Sequence, residues 1–397
     1  MILFPNITDC CNCNGCTQIC PKQAIFTHTD ENGFIYPKID SAKCIECGLC
    51  QKVCAYQHID ERNEPLQTYA AISNNTFQKL KSASGGIFAA FATDVLSTGG
   101  IVYGAAMIRK NNRFEIRHLG IESIEDLPLL QGSKYVQSSI GQCYKEIKSH
   151  LDNGREVLFS GVPCQCAGLK GFLRNKEYPK LTIIDIICHG VPSQDLFNDY
   201  INYTFRNLKD IENYKFRDKT KGWGLSACIQ YDGSKTKSFP AGTDSYYSLF
   251  LDQQTYRLNC YSCKYANKHR PGDLTIGDYW GIEKQHPELL NKLDIQKGVS
   301  CIIVNSSKGQ EALNRLQGEI EIYTSSYEKV ALRNTQLIKP SKMGRFRETI
   351  FHIYRKEGYK GLSKFYRKRY LRQRMIHFLL GIMPYSVKGW LRTLKNS

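Results

Sequence analysis

The sequence predicts three parts in series: a small α+β module, a larger α/β domain, and a basic helical tail. Three observations carry that division. Eight cysteines fall into two identically spaced runs before residue 55. From Tyr69 onward, apolar runs of strand length alternate with segments of helical periodicity, as strands covered by helices require. The charge is also lopsided. The chain carries +17, and residues 339–397 hold sixteen Lys or Arg against Glu348 and Glu357, a balance of +14 that leaves only +3 elsewhere. The expected boundaries are residues 1–60, 69–338 and 339–397.

In the first part, Cys10, Cys13, Cys16 and Cys20, followed by Pro21, read C-x2-C-x2-C-x3-C, and so do Cys44, Cys47, Cys50 and Cys54. The pattern resembles bacterial ferredoxins that hold two 4Fe-4S clusters, which makes the module ferredoxin-like. Three thiolates at i, i+3 and i+6 wrap three corners of one cubane on a tight loop. The fourth cysteine is expected on the helix that follows, pointing away toward the other cluster. This assigns Cys10, Cys13, Cys16 and Cys54 to one cluster, and Cys44, Cys47, Cys50 and Cys20 to the second. Gly15 and Gly48 supply turn freedom, and Pro21 stops the chain from continuing as helix.

A zinc ribbon would separate its C-x2-C pairs by about a dozen residues, and a disulfide framework would need an oxidising compartment; both fit poorly. The opening MILFPNITD lacks the basic and apolar regions of a secretory signal, and no run of apolar residues is long enough to span a bilayer. The seventeen cysteines are therefore expected in a reducing cytoplasm, mostly as metal ligands. Cys11 stands outside the spacing and reads as a spare thiol.

Residues 55–68 are polar, contain Pro65 and read as a linker. A strand is expected at 69–73, then SASGG (82–86) opening a helix over 87–96 that Gly99 and Gly100 close. Strands at 101–107 and 114–119 flank a turn at Asn111 and Asn112. A short helix is expected from Ser123, with Asp126 in the capping-box position, then a glycine-containing turn at 131–135 and a helix over 140–153. Residues 156–160 form a strand running into GVPCQCAG and a helix through Leu173. Residues 181–187 form the next strand, almost wholly apolar, as a parallel strand covered on both faces should be, and it ends in Cys188 and His189. Two successive strands thus deliver a cysteine at the edge where open α/β sheets place their ligands. Residues 195–208 read as helix and 211–251 as strands, with a hairpin at 231–234. A strand at 299–305, a helix at 308–316 and a last strand at 320–323 complete the domain.

SASGG (82–86), GSKY (132–135), GVPCQCAGLKGFL (161–173), IICHG (186–190), and Cys260 and Cys263 followed by DLTIGD (273–278) together resemble the β subunits of coenzyme F420-reducing hydrogenases and dehydrogenases. The likeness covers residues 69–317, and with the N-terminal module it matches the order of the longer members. It implies a flavin-binding α/β domain and a third 4Fe-4S cluster, on Cys164, Cys188, Cys260 and Cys263. It puts FAD on Ser84, Gly85, Gly86, Gly132, Ser133, Lys134 and Tyr135, with the pyrophosphate on backbone donors of the first turn. Lys134 would sit by the flavin ring or substrate, His189 would tune the cluster or move protons, and Asp278 and Trp280 would shape the pocket. Read from the residues alone, the first turn is better taken as a plain N-cap and Lys134 as a solvent-facing cation. The lone C-x2-C has a structural or zinc-binding pair as its alternative, and His189 is equally a hydrogen-bonded structural histidine.

The implied activity is that of an FAD- and iron–sulfur-dependent oxidoreductase, passing electrons between clusters and flavin to reduce or oxidise a small molecule or polysaccharide precursor. A ferredoxin or other redox protein is the expected partner. The family's substrates differ, from the deazaflavin coenzyme to a chlorophyll derivative, so none carries over. The alternative is an electron-transfer subunit with no substrate site of its own. The tail mixes its cations with Phe346, Phe351, Tyr354, Tyr359, Phe365, Tyr366, Tyr370, Phe378, Tyr385 and Trp390. It reads as a helical extension packed on the body, as an anchor on an anionic membrane surface at the inner face, or, least well, as a nucleic-acid contact.

Overall fold

The computed structural model describes residues 2–58, 64–220 and 222–382, with side chains to Ile376. Residues 59–63 of the expected linker and 383–397 of the tail, with Tyr385 and Trp390, lie outside the described residues, as does the side chain of Phe378.

In the N-terminal module β1 (Ile25–Thr29) and β2 (Ile35–Ile39) pair antiparallel, Ile25 opposite Ile39. Each cysteine run carries a short helix, Gly15–Ile19 or Leu49–Lys52, but not where the spacing puts it. Cys16 and Cys50 sit within the helices, whereas Cys20 caps the end of the first and Cys54 lies beyond the second. The reason is that each helix opens early, on a left-handed residue, Asn14 (φ 65°) or Gly48 (φ 73°).

The large domain contains β3 (Gln67–Ser73), β4 (Ile101–Lys110), β5 (Arg113–Ile121), β6 (Val157–Gly161), β7 (Leu181–Ile186), β8 (Ile211–Lys215), β9 (Ser226–Tyr231), β10 (Lys235–Pro240), β11 (Leu274–Asp278), β12 (Ser300–Val304) and β13 (Ile320–Ser325). Eight of these form one mixed sheet in the order β13-β3-β12-β11-β7-β6-β4-β5, parallel only along β11-β7-β6-β4. β6 and β12 are buried throughout, because helices cover both faces. Leu158 and Ile184 face the helices Ile87–Ser97 and Ser307–Arg315. Their neighbours Val157, Phe159 and Ile183 turn to the other side, against Cys143–Asp152 and Pro163–Phe172, which is the two-residue alternation of a strand.

β8, β9 and β10 form a separate antiparallel sheet. The turn between β9 and β10 sets Asp232 and Gly233 at φ 52° and 80°, the left-handed pair that a tight hairpin needs. The strand pattern expected through residue 251 stops short, since Ser245–Leu251 is a helix. Its aromatic run suits a strand, but Asp244 caps it by accepting from the Tyr247 N–H at 2.8 Å, and packing on all sides buries Tyr246, Tyr247 and Phe250. Two smaller corrections concern helix starts. Thr76–Lys81 is a helix capped by Asn75, which the sequence reading passed over. The helix expected from Ser123 begins at Leu127, with Asp126 as its first cap and Ser123 donating to Asp126.

In the tail, the helix Arg347–Arg369 bends at Gly358 (φ 60°) and packs on the helices Gln194–Thr204 and Ser245–Leu251. Ile350, Phe351, Tyr359, Leu362 and Tyr366 are buried there. Tyr359 shares a hydrogen bond with Ser245 at 2.9 Å, and Tyr366 donates to the Gly242 carbonyl at 3.0 Å. Arg355, Lys356, Lys360, Lys364, Arg367 and Lys368 remain exposed. A second helix, Leu371–Ile382, follows. No helix among the described residues is long and apolar enough to cross a membrane.

Candidate redox centres and the cavity between them

The module docks through side chains the large domain leaves room for. On the helix Pro163–Phe172, a Cβ on Gly168 would stand 2.6 Å from Cys13 Cβ, and one on Gly171 would stand 2.5 Å from the Val53 carbonyl. Only glycines at i and i+3 admit the cysteine loop so closely. From the module, Gln18 Oε1 accepts from the Tyr144 and Lys145 N–H groups at 3.0 and 3.2 Å. Tyr56 donates to the carbonyls of Asn259 and Ser262 at 3.3 Å.

This docking sorts the cysteines. Cys10, Cys13, Cys16 and Cys54 come together against the large domain. Burial pushes the Cys16 thiol well up, and Cys13, Cys10 and Cys54 add to the effect. Cys20, Cys44, Cys47 and Cys50 line one small apolar hollow with Ile25, Ile39 and Ile45, on the side away from the large domain. Each set thus takes its fourth member from the other run.

Cys164, at the start of the helix after β6, Cys188, just past β7, and the pair Cys260 and Cys263 also converge. The Cys164 thiol is lowered by its bond to Cys11, then raised by burial and by Cys263, Cys188 and Cys260, to about 11. Burial and then Cys263 push Cys260 up to about 12. Thiols held so high stay protonated until a metal displaces the proton. Among the described residues no three His, Cys, Asp or Glu side chains converge tightly enough for a single metal ion. Cys11 is more than spare: buried, it bonds with both Cys13 and Cys164, linking two of the sets.

A cavity of about 480 Å³ opens at the carboxyl ends of β6, β7 and β11. Its wall holds Ser84, Gly86, Gly132, Ser133, Lys134 and Tyr135 together with Cys164, Cys188, His189 and Cys260. Gly85 and Cys263 are not part of that wall. Gly85 instead lets the chain pass its neighbours, since a Cβ there would lie 2.6 Å from the Ala71 carbonyl. Several expected roles meet prior commitments. Ser84 donates its hydroxyl to the Val299 carbonyl at 2.8 Å. The Lys134 ammonium donates to the carbonyls of Leu129, Leu130 and Gln131 at 3.2, 3.0 and 2.8 Å, closing the short helix Leu127–Leu130, while burial draws its pKa down to about 7. Burial also lowers the His189 imidazole.

Other residues of the site carry no motif. Asp278 takes a two-pronged ion pair from buried Arg217, at 2.7 and 3.0 Å, and a bond from Trp223 Nε1 at 2.7 Å. Trp223 in turn stacks on Trp280 with ring centres 4.7 Å apart. His118 is buried at the cavity wall with both ring nitrogens used, Nε2 donating to the Ser160 carbonyl and Nδ1 accepting from Ser138, each at 3.1 Å. The buried amide oxygens of Gln131, Gln253 and Gln336, all cavity residues, have no hydrogen-bond partner. An isolated Arg, His or Gln is legible only when the fold sets it beside something.

Eight cysteines in two runs of dicluster spacing define a class: iron–sulfur redox proteins. Residues 9–58 match the 4Fe-4S dicluster domain, and residues 154–330 match the C terminus of the coenzyme F420 hydrogenase/dehydrogenase β subunit. Residues 154–330 are thus similar to the C-terminal domain of that β-subunit family, and a dicluster domain stands at the N-terminal end. Among solved structures, a chain of the F420-reducing NiFe hydrogenase complex from Methanosarcina barkeri is similar at TM-score 0.47 and 16% identity, over 78% of this chain and 93% of that one. No curated protein matches.

Proposed function

We propose that the chain is a flavin-dependent oxidoreductase in which the two N-terminal clusters exchange electrons, through a third 4Fe-4S cluster on Cys164, Cys188, Cys260 and Cys263, with FAD in the cavity. The supporting observation is that one cavity wall carries both the Ser/Gly turns and three of those four cysteines. The residues present fit the groups. Cys164, Cys188 and Cys260, all raised chiefly by burial and by one another, converge with Cys263, and three orphaned amide oxygens offer acceptors to the N–H and O–H donors of a dinucleotide. Bound FAD supplies exchange between one-electron carriers and two-electron hydride chemistry.

The chain's own residues then do the positioning. The helix Ile87–Ser97 opens on left-handed Gly86 and leaves its first N–H groups toward a pyrophosphate. Asp278, fixed by Arg217 and Trp223, holds Trp280 as one side of the space left for a small-molecule or polysaccharide-precursor substrate. Lys134, drawn down to about 7 by burial, is able to hold or release a proton near neutral pH, and His189, lowered by burial, offers a neutral imidazole as an acceptor. A ferredoxin or similar carrier would load the clusters from outside.

Anaerobically purified protein should contain about twelve irons, four per cubane, and should release free flavin on boiling. About eight irons would remove the third cluster. Absence of flavin would leave an electron-transfer subunit that serves another protein's active site. The exposed cations of Arg347–Arg369, followed by exposed Leu371, Met375 and Ile376, favour a peripheral anionic membrane surface over nucleic acid as the tail's partner. Sedimentation with phosphatidylglycerol vesicles but not with phosphatidylcholine vesicles is the expected result, and equal sedimentation with both would reject it.

A further inference from the structure

Among the described residues four arginines are buried, and three have an acid beside them. Arg217 pairs with Asp278, Arg270 with Asp185 at 2.6 Å, and Arg347 with Glu348 at 3.0 Å. Arg257, which is wholly buried, has none among the described residues. Its Nε donates to the Cys10 carbonyl at 3.1 Å, and its Nη1 to the Ile35 carbonyl at 2.9 Å and to Gln137 Oε1 at 3.3 Å. Its Nη2 faces Cys10 Sγ at 4.0 Å, and Cζ lies 3.8 Å from the centre of the Tyr36 ring. Carbonyls and a ring face satisfy donors, but they do not neutralise a charge removed from water, and an uncompensated buried charge is strongly destabilising. The position is also specific, because Arg257 comes from the large domain, three residues before Cys260, and reaches under the module's first cysteine loop.

We propose that the counter-ion of Arg257 is the cluster held by Cys10, Cys13, Cys16 and Cys54, and that this guanidinium raises the cluster's reduction potential. A cubane on four thiolates carries net negative charge, and one electron taken from a reductant makes it more negative. A fixed cation against one thiolate therefore favours the reduced form. The same contact makes cluster loading and domain docking support each other, since each completes the other's charge. The Cys260 N–H donates to the Arg257 carbonyl at 3.0 Å, which sets the cation's own backbone beside the third cysteine set while its guanidinium reaches the first. The inference rests on the cysteine assignment above, but not on the third cluster or on FAD.

The test is an EPR-monitored redox titration, with dithionite as reductant, of the wild type, Arg257→Gln and Arg257→Lys. Cys47→Ala protein, lacking the outer cluster, assigns the signals. The expected result is that Arg257→Gln lowers the reduced-to-oxidised ratio of the Cys10 cluster at fixed potential at least about tenfold, which is 59 mV for a one-electron couple. The outer cluster should not move, and Arg257→Lys, which keeps the charge, should stay near the wild type. Equal midpoints in wild type and Arg257→Gln overturn the proposal, and so does an Arg257→Lys midpoint as low as that of the glutamine variant. If Arg257→Gln takes up no iron, the lysine variant decides: wild-type loading and midpoint support the charge role, and failure to load overturns it. The wild-type iron count tests the cysteine assignment separately, so the two failures look different.

Discussion

The two N-terminal cysteine sets share one spacing and live in opposite surroundings. Cys10, Cys13, Cys16 and Cys54 are pressed into the large domain, where burial pushes the Cys10 thiol to about 11 while Arg257 works the other way. Cys20, Cys44, Cys47 and Cys50 lie nearer the surface, Cys50 buried, Cys20 and Cys44 half-buried and Cys47 exposed, with Ile45 beside them 57% exposed. The inner set is part of a domain interface, built by Gly168, Gly171, Gln18 and Tyr56. The outer set has the surface through which a carrier can approach. Identical local chemistry has been given two roles by what packs against it.

The comparison can be broken most strongly at the cysteines themselves. Cys13→Ser and Cys47→Ser should each cost about four irons, but only Cys13→Ser should also lower the thermal midpoint, by loosening the docked module. Equal thermal shifts would erase the distinction between inner and outer sets. Next in size is an acid effect at the cavity wall. His118 is held down at about 4 by burial, so it stays neutral when folded, whereas in the unfolded chain it charges near 6.5. Its contribution is fully present above about pH 6.5 and is lost as pH falls through 4, a difference of about 3 kcal/mol. Denaturant titrations should show that loss, and His118→Gln should flatten it.

Gly168→Leu comes third. It drives a side chain into Cys13 and should destabilise by about 2 kcal/mol, with loss of inner-set iron, whereas leucine at Gly48, whose Cβ meets nothing within 4 Å, is a backbone test only. Tyr56→Phe is the mildest. It removes a donor shared by the Asn259 and Ser262 carbonyls and should cost about 1 kcal/mol in unfolding free energy. A neutral result there would mean that the glycines, not the polar contacts, carry the docking.

Much was legible because it is local. Three members of each cysteine set are legible from spacing, since a thiolate's reach along a tight loop depends on three or four neighbouring residues; the fourth, exchanged between the runs, follows only from the likeness to two-cluster ferredoxins. The apolar runs of β6, β7 and β12 are legible for a similar reason: a strand covered on both faces must be apolar at nearly every position. The tertiary structure decided the rest. Ser245–Leu251 became a helix because aromatic residues are indifferent to local geometry once they are buried on all sides. The GLKG glycines act only because Cys13 and Val53 arrive from more than a hundred residues away. Arg217, His118 and Arg257 carry no pattern at all, since the energy of a buried charge depends on which distant group stands beside it, and that is settled only when the chain is folded.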